Sequence, residues 1–443
     1  MARDDSGTPP RQAANGSAAA ASAAMGSQRP RAIAHRLLRA TAWLLGILAA
    51  LMATAAALVL LAQADPEGRL ADVARTAVTR FEPFKRQAIA RASAPAPLPV
   101  VAPPPTLRWP AATGADEAAA GRWLAERGTR ALIVLRRGQV IHERYFDDQR
   151  RDEPVHVFSV AKVVLSALVG LALEEGRLAS LDLPITDFLP ELGRRDARFH
   201  AITLAHLMTM RTGIAFDEGY ASPFSDAARW YLARDIGSEL ARLEIRGAPG
   251  RRFAYQSSDT QLVAMALERA LGMPLAAYAQ SRLWQPMGAE FDAAWGSDAA
   301  TPPQPKAFCC FVATAIDLAR FGQLHLDALN ALASAPPGSR PLLPPHWVRR
   351  STAVLDETRG TVNDIERRNI DRPFARQRAF FSYGWRRGAG PSGEPAADFH
   401  AQGLLGQHLL VAPQTQTVIV RLGTRQGGIY WPAWMSELAW LNP

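Results

Sequence analysis

Ser159-Val160-Ala161-Lys162 places a hydroxyl and an amine three residues apart, at the start of a run whose apolar residues recur at helical spacing as far as Glu175. Residues three apart share a helix face, so the two side chains can meet. A serine becomes a nucleophile when a neighbouring base takes its proton, and a lysine tuned by its surroundings can contribute to that transfer. Near a helix N-terminus, backbone N–H groups are also available to a developing oxyanion. The chain has only three lysines, Lys85, Lys162 and Lys306, and otherwise uses arginine. Arginine cannot be deprotonated, which is a physical reason for a lysine at 162.

Two further segments bear on the same chemistry. Tyr255-Gln256-Ser257 follows Arg252-Phe253-Ala254 and precedes an apolar helical run. A lone tyrosine is common where core meets surface, so Tyr255 gains weight only from its place downstream of Ser159 and Lys162. The strand-like stretch Ala401-Gln402-Gly403-Leu404-Leu405-Gly406-Gln407 carries the other signal. Glycine in a strand often marks a close approach of the backbone to a ligand, the other reading being a bulge or bend. Its edge could set the Leu404 N–H opposite that of Ser159, giving two donors for an oxyanion.

In this order the three segments resemble the class C β-lactamase and D-alanyl-D-alanine carboxypeptidase superfamily, in which S-x-x-K, Y-x-N and K-T-G or H-T-G line one cleft. The resemblance runs from about Ala131 to the C-terminus. It extends to Leu207-Met208-Thr209-Met210-Arg211-Thr212-Gly213-Ile214, similar to an L-x-x-M-x-S-G segment, and to Phe308-Cys309-Cys310 followed by Asp317-Leu318-Ala319-Arg320-Phe321-Gly322. Tyr255-Gln256-Ser257-Ser258-Asp259-Thr260 and the G-x-x-G-Q from Gly403 to Gln407 look most like the branch containing 6-aminohexanoate-dimer hydrolase and related esterases. That likeness implies a substrate contact from Tyr220, in Phe216-Asp217-Glu218-Gly219-Tyr220, and substrate-binding positions at Ser257, Gln402 and Gly403. Two departures stand out. Ser257 occupies the place of the superfamily's asparagine, and Ala401-Gln402 that of its cation and hydroxyl, which argues against an efficient β-lactamase.

The elements that must position these groups are legible in outline. ALIVLRRGQVIHERYF reads as two strands around Arg136-Arg137-Gly138-Gln139. FFSYGWRRG, FHAQGLLG, QHLLVAP and TVIVRLG read as further strands, with Pro413 to Gln416 as a turn, and WPAWMSELAWLNP as a closing helix packed on the sheet. Between them, from about 166 to 370, the sequence predicts a mainly helical middle. The fold expected is α+β, an antiparallel sheet built from both ends of the catalytic region and flanked by helices, in the manner of the β-lactamase/transpeptidase fold.

Ahead of the catalytic region at 106–443, composition predicts three segments. Residues 1–40, rich in Ala, Gly, Ser and Pro, read as a disordered tail. The uncharged run at 41–64 reads as a single transmembrane helix, a cleaved signal peptide being the alternative. Residues 65–105, ending in APAPLPVVAPPP, read as a proline-rich linker. The arginines before the apolar run place the N-terminus in the cytoplasm and the catalytic region across the inner membrane, in the periplasm.

The formal charge of +9 does not indicate nucleic acid. Residues 1–40 hold six arginines against two aspartates, 65–105 six bases against four acids, and only +3 remains from 106 onward. No H-E-x-x-H, spaced Cys/His set or P-loop is present, and His200 and His206 have no obvious acidic partners, so neither a metal nor any other cofactor is implied. Cys309 and Cys310, the only cysteines, read as small buried hydrophobes, with a vicinal disulfide as the other reading. The expected activity is hydrolysis of a small-molecule ester or amide through an acyl-enzyme on Ser159. The alternatives are a membrane-tethered, non-catalytic binding or sensing domain of the same fold, or a β-lactamase or D-alanyl-D-alanine carboxypeptidase.

Overall fold

The computed structural model describes residues 41–50, 52–54, 85–114, 116–219, 224–334, 340–361, 378–388 and 396–443. The chain divides into two units, Met1–Pro66 and Glu67–Pro443. In the first, residues 41–50 and 52–54 are helical and exposed. The rest of the expected span at 41–64 lies outside the described residues, as does the expected tail at 1–40. Among the described residues no single helix is long and apolar enough to cross a membrane.

In the second unit the first hairpin forms as its sequence predicts. β2 (Thr129–Arg136) and β3 (Gln139–Tyr145) are joined by Arg137 and Gly138, with φ of 49° and 77°. Two consecutive left-handed residues make the turn whose twist matches paired strands, and glycine adopts that conformation without a Cβ clash. From the other end of the unit come β9 (Gly360–Thr361), β10 (Arg378–Ser382), β11 (Trp385–Gly388), β12 (Phe399–Gly403), β13 (Gln407–Ala412) and β14 (Thr417–Gly423). They assemble in the order β3-β2-β14-β13-β12-β11-β10-β9, with β14 antiparallel to β2, Thr417 opposite Arg136. The sheet is thus built from both ends of the unit.

Alternation along these strands creates two apolar faces. Ile133, Leu409, Val420 and their neighbours pack on the buried helices α2 (Ala161–Glu174) and α4 (Ala315–Ser334). Leu132, Val134, Leu410 and Ile419 face α1 (Glu117–Glu126) and α5 (Trp431–Leu441), where Trp431, Trp434 and Met435 complete a second cluster. The arrangement is three layers, helices on both faces of one antiparallel sheet. Twelve of the fourteen residues of α2 are buried, as befits a helix that is apolar all round.

One expectation needs correction. The segment at 65–105 is not a free linker throughout. From residue 85 it is packed into the second unit, because β1 (Lys85–Ile89) pairs antiparallel with β7 (Ala293–Ser297), Ile89 is fully buried, and the Val101 N–H donates to the Val140 carbonyl at 3.0 Å. The middle, expected to be mainly helical, also holds short strands. β1, β7, β8 (Phe311–Ala313) and β4 (Val155–His156) form a four-stranded sheet in the order β1-β7-β8-β4, and β5 (Ile214–Ala215) pairs with β6 (Glu244–Ile245). The remaining long helix of the middle, α3 (Ser257–Leu271), begins beside Tyr255.

Candidate active site

The four-stranded sheet delivers the chain to Ser159. β4 ends at His156, the Val157 N–H donates to the Phe311 carbonyl at 3.0 Å, and a turn of 3-10 helix over Phe158–Val160 leads into α2. Phe158, the residue before the serine, has φ of 48°. A bulky residue held left-handed is strained and persists where its surroundings over-determine it. Ser159 is half-buried, and Lys162, one turn on, is 3% exposed. The Lys162 Nζ donates to Ser159 Oγ at 3.2 Å and to the Phe308 carbonyl at 2.7 Å.

Phe308 lies in a turn fixed at several points. Lys306 N–H donates to Gly296 O at 2.7 Å, Cys310 N–H to Lys306 O at 3.0 Å, and Gly296 N–H to Cys310 O at 2.7 Å. Cys309 and Cys310 are buried and bonded to each other as a vicinal disulfide, so they are not free thiols. The two sulfurs and His156 could group within 4.8 Å, yet a disulfide offers no thiolate to a cation. The Lys306 ammonium caps the carbonyls of Trp230 (3.2 Å), Tyr231 and Ala233 (2.8 Å), and burial pulls its pKa down to about 8 against the opposing charge of Asp298. A compact cation with three donors suits three converging carbonyls better than a planar guanidinium.

Tyr255 is 6% exposed and sits among charges. Lys162 Nζ lies 5.1 Å from its ring centroid and the Arg386 Cζ 4.8 Å. Burial pushes the phenol up, but Lys162 and Arg386 outweigh it together with a hydrogen bond to Ser159, against Glu218, and leave its pKa below the ordinary value. Ser159, Lys162 and Tyr255 are therefore brought together in one cluster.

The end of β12 lies against the turn before Ser159. A Cβ at Gly403 would lie 2.3 Å from the Val157 carbonyl oxygen and 3.1 Å from the Phe158 Cβ, so what the glycine admits is the chain's own turn leading to Ser159. Leu404 follows directly, half-buried, and Leu405 is left-handed at φ 61°. Gln402 is 7% exposed, and its Oε1 has no hydrogen-bond partner among the described residues. Gly403→Ala is expected to cost about 2 kcal/mol of stability, as overpacking does, and to cut kcat about a hundredfold by displacing β12 from the serine. Thermal melts and steady-state kinetics check this, and an unchanged variant would mean that β12 is not seated on that turn.

Ser257 does not lie open to a substrate. It is fully buried, and its hydroxyl and N–H both donate to Glu218, each at 2.6 Å. Tyr220 lies outside the described residues. Behind Ser257, Asp259 accepts from Thr212 (3.0 Å) and Gln256 (2.8 Å), and burial lifts its carboxyl well above the usual range. These bonds tie the 210–213 segment to the start of α3. Sequence reasoning missed Glu218, Arg386 and the Phe308 carbonyl. Glu218 stood inside a segment singled out only for its tyrosine, and Arg386 inside one read only as a strand.

A sequence model of one protein family, described as Beta-lactamase, matches residues 122–430. The chain belongs to the Beta-lactamase family. Among curated relatives, the 6-aminohexanoate-dimer hydrolase of Paenarthrobacter ureafaciens is 27% identical over 313 residues, covering 68% of this chain and 74% of that protein. Esterase EstB of Burkholderia gladioli is 29% identical over 176 residues, covering 35% of this chain and 44% of the esterase. Among solved structures, a candidate 6-aminohexanoate-dimer hydrolase from Bacillus anthracis superposes with a TM-score of 0.64 at 22% identity, over 84% of this chain and 94% of its own. The Beta-lactamase family resemblance expected from the motifs is thus shown, as is the mixed fold with antiparallel sheets. Family members similar to this chain carry the names of an amide hydrolase and an esterase.

Proposed function

We propose that this chain hydrolyses small esters or amides through a covalent acyl-enzyme on Ser159. The observation that carries the reading is the Lys162 amine, 3.2 Å from the Ser159 hydroxyl and pinned from behind by the Phe308 carbonyl at 2.7 Å. Ser159 Oγ attacks the substrate carbonyl carbon while its proton passes to the Lys162–Tyr255 pair. The bond to the leaving alcohol or amine then breaks, and that group departs with the proton. Water attacks the acyl ester by the reverse relay, releasing the acid and restoring the serine. Ser159 and Leu404 N–H groups hold the oxyanion, and Gln402 lines the acyl side.

The named activities of the two curated relatives support small acyl compounds as substrates. The third motif argues against β-lactams. Ala401 is fully buried in the core, so neither a cation nor a hydroxyl meets a substrate carboxylate there. Losing a charged hydrogen bond costs about 1.5–3 kcal/mol, roughly ten- to a hundredfold in rate. The purified chain is expected to take a fluorophosphonate label and to hydrolyse p-nitrophenyl butyrate with a kcat/KM about a hundredfold above that for nitrocefin. Absence of labelling would remove the nucleophile from the reading, and a preference for nitrocefin would reverse the substrate class.

A further inference from the structure

We infer that Arg386, from the strand beside the third motif, is a positioning residue that acts on Tyr255 as the permanent cation of the site. The inference rests on the reading of Ser159, Lys162 and Tyr255 as the reacting set. Position 401, where the resemblance leads one to expect a cation, holds a fully buried alanine. One strand over, on β11, Arg386 is 4% exposed with its guanidinium carbon 4.8 Å from the Tyr255 ring centroid. Phe381, its cross-strand partner on β10, packs edge-on against the same tyrosine with centroids 5.8 Å apart. Sheet register therefore fixes the guanidinium over the phenol.

The charges around Tyr255 divide the labour. Lys162 on α2 must gain and lose protons during turnover if it relays the serine's proton. Arg386 cannot titrate in the working range, so its charge is constant while that of Lys162 changes. Glu218, in the segment before α3, opposes both. On the far side of Arg386, His400 stands opposite it on β12. His408 on β13 is held well below its ordinary pKa by burial, Arg421, His400 and Arg386, so it adds no second positive charge beside Arg386. A buried phenolate without a nearby fixed cation would be costly, and a unit charge about 5 Å away is of the order that offsets such burial. Stacked on the ring and buried, Arg386 serves the tyrosine and does not restore recognition of a substrate carboxylate.

The test is the pH dependence of kcat/KM for p-nitrophenyl butyrate, and of fluorophosphonate labelling, in full-length wild-type, Arg386→Met and Arg386→Lys chains. In Arg386→Met the acid limb should move up by about one to two pH units. Activity near neutrality should then fall about ten- to a hundredfold and recover at alkaline pH. Arg386→Lys, which keeps a cation, should hold the limb within about half a unit. An unmoved limb, or a uniform loss that alkaline pH does not rescue, overturns the inference. Should thermal melts show Arg386→Met unfolded, absorbance titration at 295 nm of wild type against Tyr255→Phe decides instead. A Tyr255 phenolate forming no lower than the ordinary value of about 10 would overturn it. Failure of the wild-type chain to label at any pH would count against Ser159 as nucleophile, which is a different result from labelling with an unmoved limb.

Discussion

Ser159→Ala is expected to abolish both turnover and covalent labelling, with a fall in kcat of about 10⁴-fold or more, the scale on which catalytic units collapse when the nucleophile is removed. Among the described residues no other hydroxyl is hydrogen-bonded to the Lys162 amine. Among the described residues near Lys162, Ser257 is committed to Glu218, and the Tyr255 phenol is buried. The substitution removes one oxygen from a half-buried position in the Phe158–Val160 turn, whose neighbours Val157 and Val160 remain packed, so the melting temperature should change little. Intact-mass measurement after fluorophosphonate treatment gives the readout. A label retained in the alanine variant would place the nucleophile elsewhere.

Lys162→Arg should be almost as damaging even though it keeps the positive charge, since an arginine stays protonated and cannot join a proton relay. The pocket also resists it. Lys162 is 3% exposed and reaches both Ser159 and the Phe308 carbonyl from one amine, a geometry a planar guanidinium does not reproduce. Tyr255→Phe removes only a hydroxyl and should preserve folding while lowering kcat by about a hundredfold or more, the usual worth of a positioned acid or base. Combining the two should cost much less than the product of the single losses, because members of one catalytic set are strongly non-additive. Single-turnover kinetics with an activated ester on the two single variants, the double variant and wild type measure this. Near-normal acylation by Lys162→Arg would take Lys162 out of the relay and leave it an electrostatic support.

What the sequence revealed is what local spacing encodes. Ser159 and Lys162 share one helix face, Arg137-Gly138 dictates its own turn, and Gly403 announces a close approach, so all three could be read without knowing the rest of the fold. The approach at Gly403 proved to be to Val157 and Phe158 of the same chain, which no local pattern specifies. Long-range pairing was illegible for the same reason. Arg386 reaches Tyr255 only because β11 lies between β10 and β12, and the Phe308 carbonyl reaches Lys162 across 146 positions of sequence. The strands of the middle were hidden by brevity: Phe311–Ala313 is three residues and Ile214–Ala215 two. β1 was hidden by composition, since Lys85-Arg86-Gln87 reads as a charged approach to a proline-rich stretch.

That first strand bears on how the catalytic unit can be cut out of the longer chain. A fragment begun at the end of the proline-rich stretch would strip β1 from β7 and expose a row of unpaired N–H and C=O groups along Ala293–Ser297, the kind of open edge that recruits a strand from another molecule. The exposed ladder would not be remote from the chemistry, because β7 pairs with β8, β8 with β4, and β4 ends three residues before Ser159. The smallest self-sufficient piece of this enzyme therefore starts at or before Lys85, and an expression boundary drawn by composition alone would fall some twenty residues inside it.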